Sequence, residues 1–152
     1  MNKNIHGIIS NKSNRPDDYL YRISLKALIY DDRGRILVVK ESGRKYWDLP
    51  GGGIDHGESI EDGLLRELRE EVSFEGVIVS SRVISVDNPV FLSEHLLWQL
   101  RIVLVVETSQ TYFSPGKDCS DIMFIEPHSL VDSTDEDKVP IVRYHSIAKT
   151  TL

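Results

Sequence analysis

Only one cysteine, Cys119, occurs in the 152 residues. No disulfide can close within the chain, so packing and hydrogen bonds must hold it, and a reducing cytosol suits it. Long apolar runs are missing as well. The longest, IVLVV at 102–106, falls far short of the roughly 20 residues that a membrane-crossing helix needs. The stretch MNKNIHGIISNKSNRPDD carries an early lysine but no apolar centre of signal-peptide length. The expectation is a cytoplasmic protein without a membrane segment. Positive charge is scarce: 18 Lys and Arg stand against 24 Asp and Glu, for a net charge of -6. A sequence-independent binder of duplex nucleic acid needs a basic face to displace counterions, so that class is disfavoured. A small phosphorylated ligand is not, because bound divalent cations reverse the local field. Repeats, low-complexity tracts and any compositional break that would mark a second domain are also lacking.

What is present reads as one globular domain over 1–152, with 40% apolar and 28% charged residues. Residues 1–20 are polar and aperiodic, an extension or a peripheral strand. SLKALIYDDRGRILVVKE holds two β-rich runs about the turn residues Asp31, Asp32, Arg33 and Gly34, which predicts a hairpin. SGRKYWDLPGGGIDHGE is a loop with Pro50 and three glycines, Gly51, Gly52 and Gly53. From Ser59 the period becomes helical. Ser59 and Asp62 have the spacing of a capping box, and Ile60, Leu64, Leu68 and Val72 form one apolar stripe. Gly63 inside this helix lowers its propensity by about 1 kcal/mol and suggests close packing. EGVIVSSRVISV, LLWQLRIVLVVE and DIMFI are strand-like, SPGKDCSD is a loop, and Pro140 opens a last helix through IVRYHSIAK. Strands around one well-marked helix, with another helix near the end, predict a mixed sheet with helices packed on it.

The stretch RELREEVS at 66–73 holds three glutamates. Glu67 and Glu71 are one turn apart and Glu70 lies within the same cluster, so their carboxylates repel unless something neutralises them. A hard cation, Mg2+ or Mn2+, does so through oxygen ligands. The competing reading is a solvated face balanced by Arg66 and Arg69.

The wider context is Gly52, five residues, Glu58, seven residues, Arg66-Glu67-Leu68, one residue, then Glu70-Glu71. This resembles the signature of the Nudix hydrolases, which cleave nucleoside diphosphates linked to another group. The resemblance implies an α/β/α sandwich with a mixed β-sheet over most of the chain. It implies that the Gly51 carbonyl and the carboxylates of Glu67, Glu70 and Glu71 bind Mg2+, with Mn2+ as the alternative. Glu67 or Glu70 then takes the proton from the attacking water, Gly52 lets the backbone bend, and Glu58 pairs with Arg66 to brace loop against helix. The implied reaction is attack of water on a phosphorus of a diphosphate bridge, and homodimers are common in the family. Ser73 departs from the pattern, which has glycine there: either serine takes a left-handed conformation, or the turn passes to Gly76.

Outside the signature, Asp118 in the GKD loop is the candidate further metal ligand, with Asp121 and Glu126 behind it. Lys40, Arg44 and Lys45 precede the glycine loop and are candidates to meet substrate phosphates. His56 has no assigned role, and His95 beside Glu94 is a candidate loop base with a surface role as the default. Trp47, Phe91, Trp98 and Tyr112 offer rings for a nucleobase, although strand aromatics mostly fill cores. Cys119 lacks a basic partner nearby in sequence and is assigned no catalysis. Pro89, 15 residues after Phe74, has the spacing associated with ADP-ribose hydrolases. The tyrosine of dinucleoside polyphosphate hydrolases is missing, with Val90, Phe91 and Leu92 in its place. The substrate expected is therefore a small nucleotide, either a nucleoside triphosphate or a nucleotide sugar such as ADP-ribose. The alternatives are a non-catalytic nucleotide sensor of the same fold and a helix that merely binds metal.

Overall fold

The computed structural model describes residues 19–130, 136 and 138–151. The polar stretch read as an extension lies outside the described residues up to position 18. The elements in chain order are β1 (Tyr21–Leu28), β2 (Ile36–Glu41), α1 (Ile60–Val72), β3 (Ile78–Val86), β4 (Val90–Leu92), β5 (Leu97–Thr108), β6 (Cys119–Ile125), a 3-10 turn (Pro127–Leu130) and α2 (Val139–Thr150).

The long apolar strand β5 is the hub. β1 lies parallel to it, with Ser24 opposite Arg101 and Lys26 opposite Val103, while β3 and β4 pair with it antiparallel. β2 and β6 form a separate antiparallel pair. Among the described residues no helix is long and apolar enough to cross a membrane.

The expected hairpin between β1 and β2 forms only at its tip. Asp31 accepts the Arg33 and Arg35 amides, Gly34 takes φ 76°, and Tyr30 bridges Ile36. Beyond that bridge the strands diverge into different sheets. The reason is competition for an edge, because the glycine loop occupies the side of β1 that a hairpin partner would use. Leu25 and Ala27 donate to the carbonyls of Gly52 and Pro50, and Ile54 donates to Ile23. The same loop reaches β2 through reciprocal bonds between Val39 and Asp48. It thus stitches the two sheets together, and this fixes its position.

Strand alternation sorts the apolar side chains into two cores. Leu25, Ala27 and Ile29 of β1 and its extension, with Leu37, Val39, Leu104 and Val106, meet Leu64, Leu68 and Val72 of α1. Leu28, Ile36, Val38 and Val103 meet Ile141, Tyr144 and Ala148 of α2. One helix on each side of the strands makes the α/β/α sandwich. In α1 the stripe holds for Leu64, Leu68 and Val72, but Ile60, in the first turn, is 43% exposed. Gly63 is buried, and a Cβ there would stand 3.1 Å from Ile54 and from the Glu58 carboxylate, so the helix lies close to the loop.

Candidate active site

Both ends of α1 are fastened by the groups that its sequence supplies. Ser59 Oγ accepts from the Asp62 amide at 3.0 Å, while Asp62 bonds the Ser59 hydroxyl at 2.8 Å, not its amide. At the other end Ser73 adopts the left-handed conformation, φ 51° and ψ 43°. Gly76 does not take over the turn, so the helix keeps Glu70 and Glu71 in its last turn. The loop before β6 then covers the exposed carbonyls of that turn. Ser114, Gly116 and Asp118 donate their amides to Val72, Glu71 and Glu70 at 3.4, 2.8 and 3.1 Å.

On this fixed helix Arg66 is the organiser. It grips Glu58 with two bonds of 2.8 and 3.0 Å, donates to the Gly53 carbonyl at 2.9 Å, and reaches Glu67 at 2.8 Å and Glu70 at 3.3 Å. The Arg66 hydrogen bonds and the Asp55 amide hold the Glu58 carboxyl down at about 2. Glu67 lies against Gly52, where a Cβ would be 2.6 Å from its Oε2. Burial raises the Glu67 carboxyl, although Arg66 opposes this. Lys117 pairs with Glu70 at 3.2 Å.

Glu71 is buried, and its Oε2 accepts the Gly51 amide at 2.7 Å. Burial pushes its carboxyl up to about 7 against the pull of Lys26. Gly51 has φ 128°, and a Cβ there would stand 2.1 Å from the Leu25 carbonyl, so only glycine allows this approach to β1.

Four charged residues that the sequence reading passed over complete the site. Lys26 donates to the Gly51 carbonyl at 2.6 Å and pairs with Asp48 at 3.3 Å. Arg101 holds the same Asp48 oxygen at 3.1 Å. Burial opposes the charges of Lys26, Asp48 and Arg101. Asp48 and Glu71 outweigh it at Lys26, holding the ammonium above its ordinary value, and Lys26 and Arg101 outweigh it at Asp48, whose carboxyl lies low. Together with Arg22 and Arg44 these groups line a cavity of about 310 Å3 that opens beside Gly52. The available signal was a lysine or arginine interrupting an apolar strand run, as Lys26 does in SLKALIY and Arg101 in LLWQLRIVLVVE.

The structure brings Gly51, Gly52, Glu58, Arg66, Glu67, Glu70 and Glu71 together. It does not bring every other candidate. Arg44 borders the basic cavity and pairs with Glu94 at 3.2 Å. Lys40 lies over the Trp47 ring at 4.6 Å, away from that cavity, and Lys45 is exposed outside its lining. Asp118 uses its backbone to cap α1, while its side chain is exposed; Asp121 and Glu126 are exposed as well. Phe91 faces the basic cavity. Trp98 and His56 border a second cavity of about 690 Å3 that also touches Arg66 and Glu67, and His95 borders both. Tyr112 is 78% exposed and Cys119 is buried.

Among the described residues no three Asp, Glu, His or Cys side chains converge as a ready metal cage. Arg66 bridges Glu67 and Glu70, and Lys26 takes the Gly51 carbonyl. The donor chemistry nevertheless fits a hard divalent cation. Three carboxylates and one carbonyl offer oxygen donors, and one of the three, Glu71, is buried at energetic cost.

The family model described as NUDIX domain matches residues 20–148. A Bacillus subtilis (strain 168) protein, provisionally named 8-oxo-dGTP diphosphatase, is 32% identical over 111 residues, covering 73% of this chain and 70% of its own. An RNA pyrophosphohydrolase of Ruthia magnifica subsp. Calyptogena magnifica is 41% identical over 64 residues, 41% of this chain; the match spans only 36% of that relative. The crystal structure of the MutT protein from Methanosarcina mazei Go1 superposes with a TM-score of 0.66 at 19% identity, covering 88% of this chain and 97% of that one. At that identity the likeness speaks for the fold.

Proposed function

The chain belongs to the Nudix family, and we propose that this hydrolase of phosphoric anhydrides cleaves the diphosphate bond of a small nucleoside diphosphate derivative with Mg2+. The observation that carries the reading is that α1 sets Glu71 on the Gly51 amide and Glu67 against Gly52, with Glu70 one turn from Arg66, while Gly52 also borders a cavity walled by arginines. Glu67, Glu70, Glu71 and the Gly51 carbonyl would hold the ion, with Mn2+ as a substitute. The ion supplies neutralisation of phosphate charge and a more acidic water.

The rest falls to the chain itself. Arg22, Arg44 and Arg101 face the cavity and suit phosphate oxygens. Glu67, its carboxyl raised by burial, or Glu70 would accept a proton from the attacking water. Glu58 holds Arg66, and Arg66 holds the loop carbonyl of Gly53, so helix and loop keep their spacing. A net charge of -6 favours a mononucleotide or nucleotide sugar over an extended nucleic acid.

The test is a product assay with nucleoside triphosphates, ADP-ribose and a 5′-triphosphorylated RNA oligonucleotide, with and without Mg2+. Turnover of a small substrate, abolished by chelator and lowered at least about 100-fold in Glu67→Gln or Glu70→Gln, is the expected result. Full turnover by both variants overturns the site. Tight binding in calorimetry with no turnover of any substrate makes the protein a nucleotide sensor.

A further inference from the structure

Lys26 stands in β1 between Leu25 and Ala27, both fully buried, and is itself only 3% exposed. A buried ammonium persists only where oxygens surround it. Here they are the Gly51 carbonyl at 2.6 Å, Asp48 at 3.3 Å and Glu41 at 4.0 Å. Asp48 is shared with Arg101, so it neutralises Lys26 only in part. Gly51 has little freedom to turn away. Its φ of 128° and its approach to the Leu25 carbonyl press it onto the strand that carries Lys26, and its amide is tied to Glu71.

The same carbonyl is thus offered to two kinds of cation. An ammonium and a hard divalent ion both seek oxygen donors, and the buried Glu71 carboxylate attracts both. We infer that Lys26 is a built-in cation of the site, whose ammonium competes with a divalent ion for the Gly51 carbonyl and so sets the affinity for metal. The inference rests on the metal-dependent reading above. The ammonium holds the Gly51 oxygen at 2.6 Å, so an ion bound there meets its positive charge at short range. Lys26 lines the cavity shared with Arg22, Arg44 and Arg101, where its charge then adds to theirs on an anionic substrate.

The test is a Mn2+ titration without substrate, by calorimetry and by the electron paramagnetic resonance of free Mn2+. It compares the wild type with Lys26→Met and Lys26→Arg, each checked for native circular dichroism. Removing the positive charge in Lys26→Met should tighten Mn2+ binding about tenfold or more, or add one ion per chain, while Lys26→Arg should bind no tighter than the wild type. A purely structural lysine predicts the opposite sign, since loosening the loop weakens the site. Equal or weaker binding by folded Lys26→Met therefore overturns the inference. If Lys26→Met does not fold, the wild type decides, through nuclear magnetic resonance of 15N-labelled lysine ammonium groups. The Lys26 signal should move and exchange its protons faster on saturation with Mg2+; an unmoved signal overturns the inference. Mn2+ binding that is lost in Glu67→Gln yet indifferent to Lys26→Met sinks this inference alone. Absence of binding in wild type and Lys26→Met alike sinks the metal-dependent reading with it.

Discussion

Arg66 and Glu58 show how one side-chain pair decides what a segment can do. The guanidinium spans 53 to 70 in sequence by touching Gly53, Glu58, Glu67 and Glu70. The Glu58 carboxyl is held at about 2, below its unfolded value of 4.5. A depressed carboxyl stabilises the fold above the unfolded value and loses that contribution as pH falls through the folded one. Glu58→Gln should therefore lower stability by about 2 kcal/mol at pH 7. The difference from wild type should shrink between pH 4.5 and 2, as read from urea denaturation across that range. A pH-independent difference would mean that packing, not charge, is what Glu58 contributes. Glu58 and Arg66 were legible in sequence because their spacing belongs to the signature. Lys26 and Asp48 were not, because their partners lie 25 and 53 positions away and only the folded sheet introduces them.

At the scale of the element, α1 is complete only with its neighbours. Serine at the left-handed position after Val72 is disfavoured relative to glycine. Ser73→Gly should raise stability by about 1 kcal/mol without changing turnover, measured by thermal unfolding and by the product assay; its exposed bond to the Pro115 carbonyl is a small loss. Gly116 is the counterpart from the loop. A Cβ there would stand 2.2 Å from the Glu70 carbonyl, which is backbone and cannot give. Gly116→Ala should cost about 2 kcal/mol and lower turnover together with stability, since the same loop caps the turn that carries Glu70 and Glu71. Undiminished activity would separate the capping loop from the site. The helix and its N-cap were readable from period and spacing, but the hairpin was not. Its turn residues are correct, yet the glycine loop outcompetes β2 for the edge of β1.

For the whole molecule, the strands act as a partition between two cores. Val72 lies in the core under α1 and Ile141 in the core under α2. Val72→Ala should cost about 2 kcal/mol and Ile141→Val about 1 kcal/mol. In the double variant the losses should add to within about 0.5 kcal/mol in urea denaturation. Strong coupling would show that the sheet transmits strain from one side to the other. The sequence by itself determined the family, the helix, the strand alternation and the glutamate row, because these are local: a period, a spacing or a cap involves residues a few positions apart. Even the departure at Ser73 could be posed from sequence, though its conformation could not. Tertiary structure decided the rest. The parallel pairing of β1 with β5 sets Ser24 against Arg101 and Lys26 against Val103, across 77 positions. That register, with the glycine loop lying along the other edge of β1, places a buried ammonium on the Gly51 carbonyl beside a buried carboxylate. No local rule predicts the meeting, because the energy that holds it comes from burial of the strands that bring those charges together.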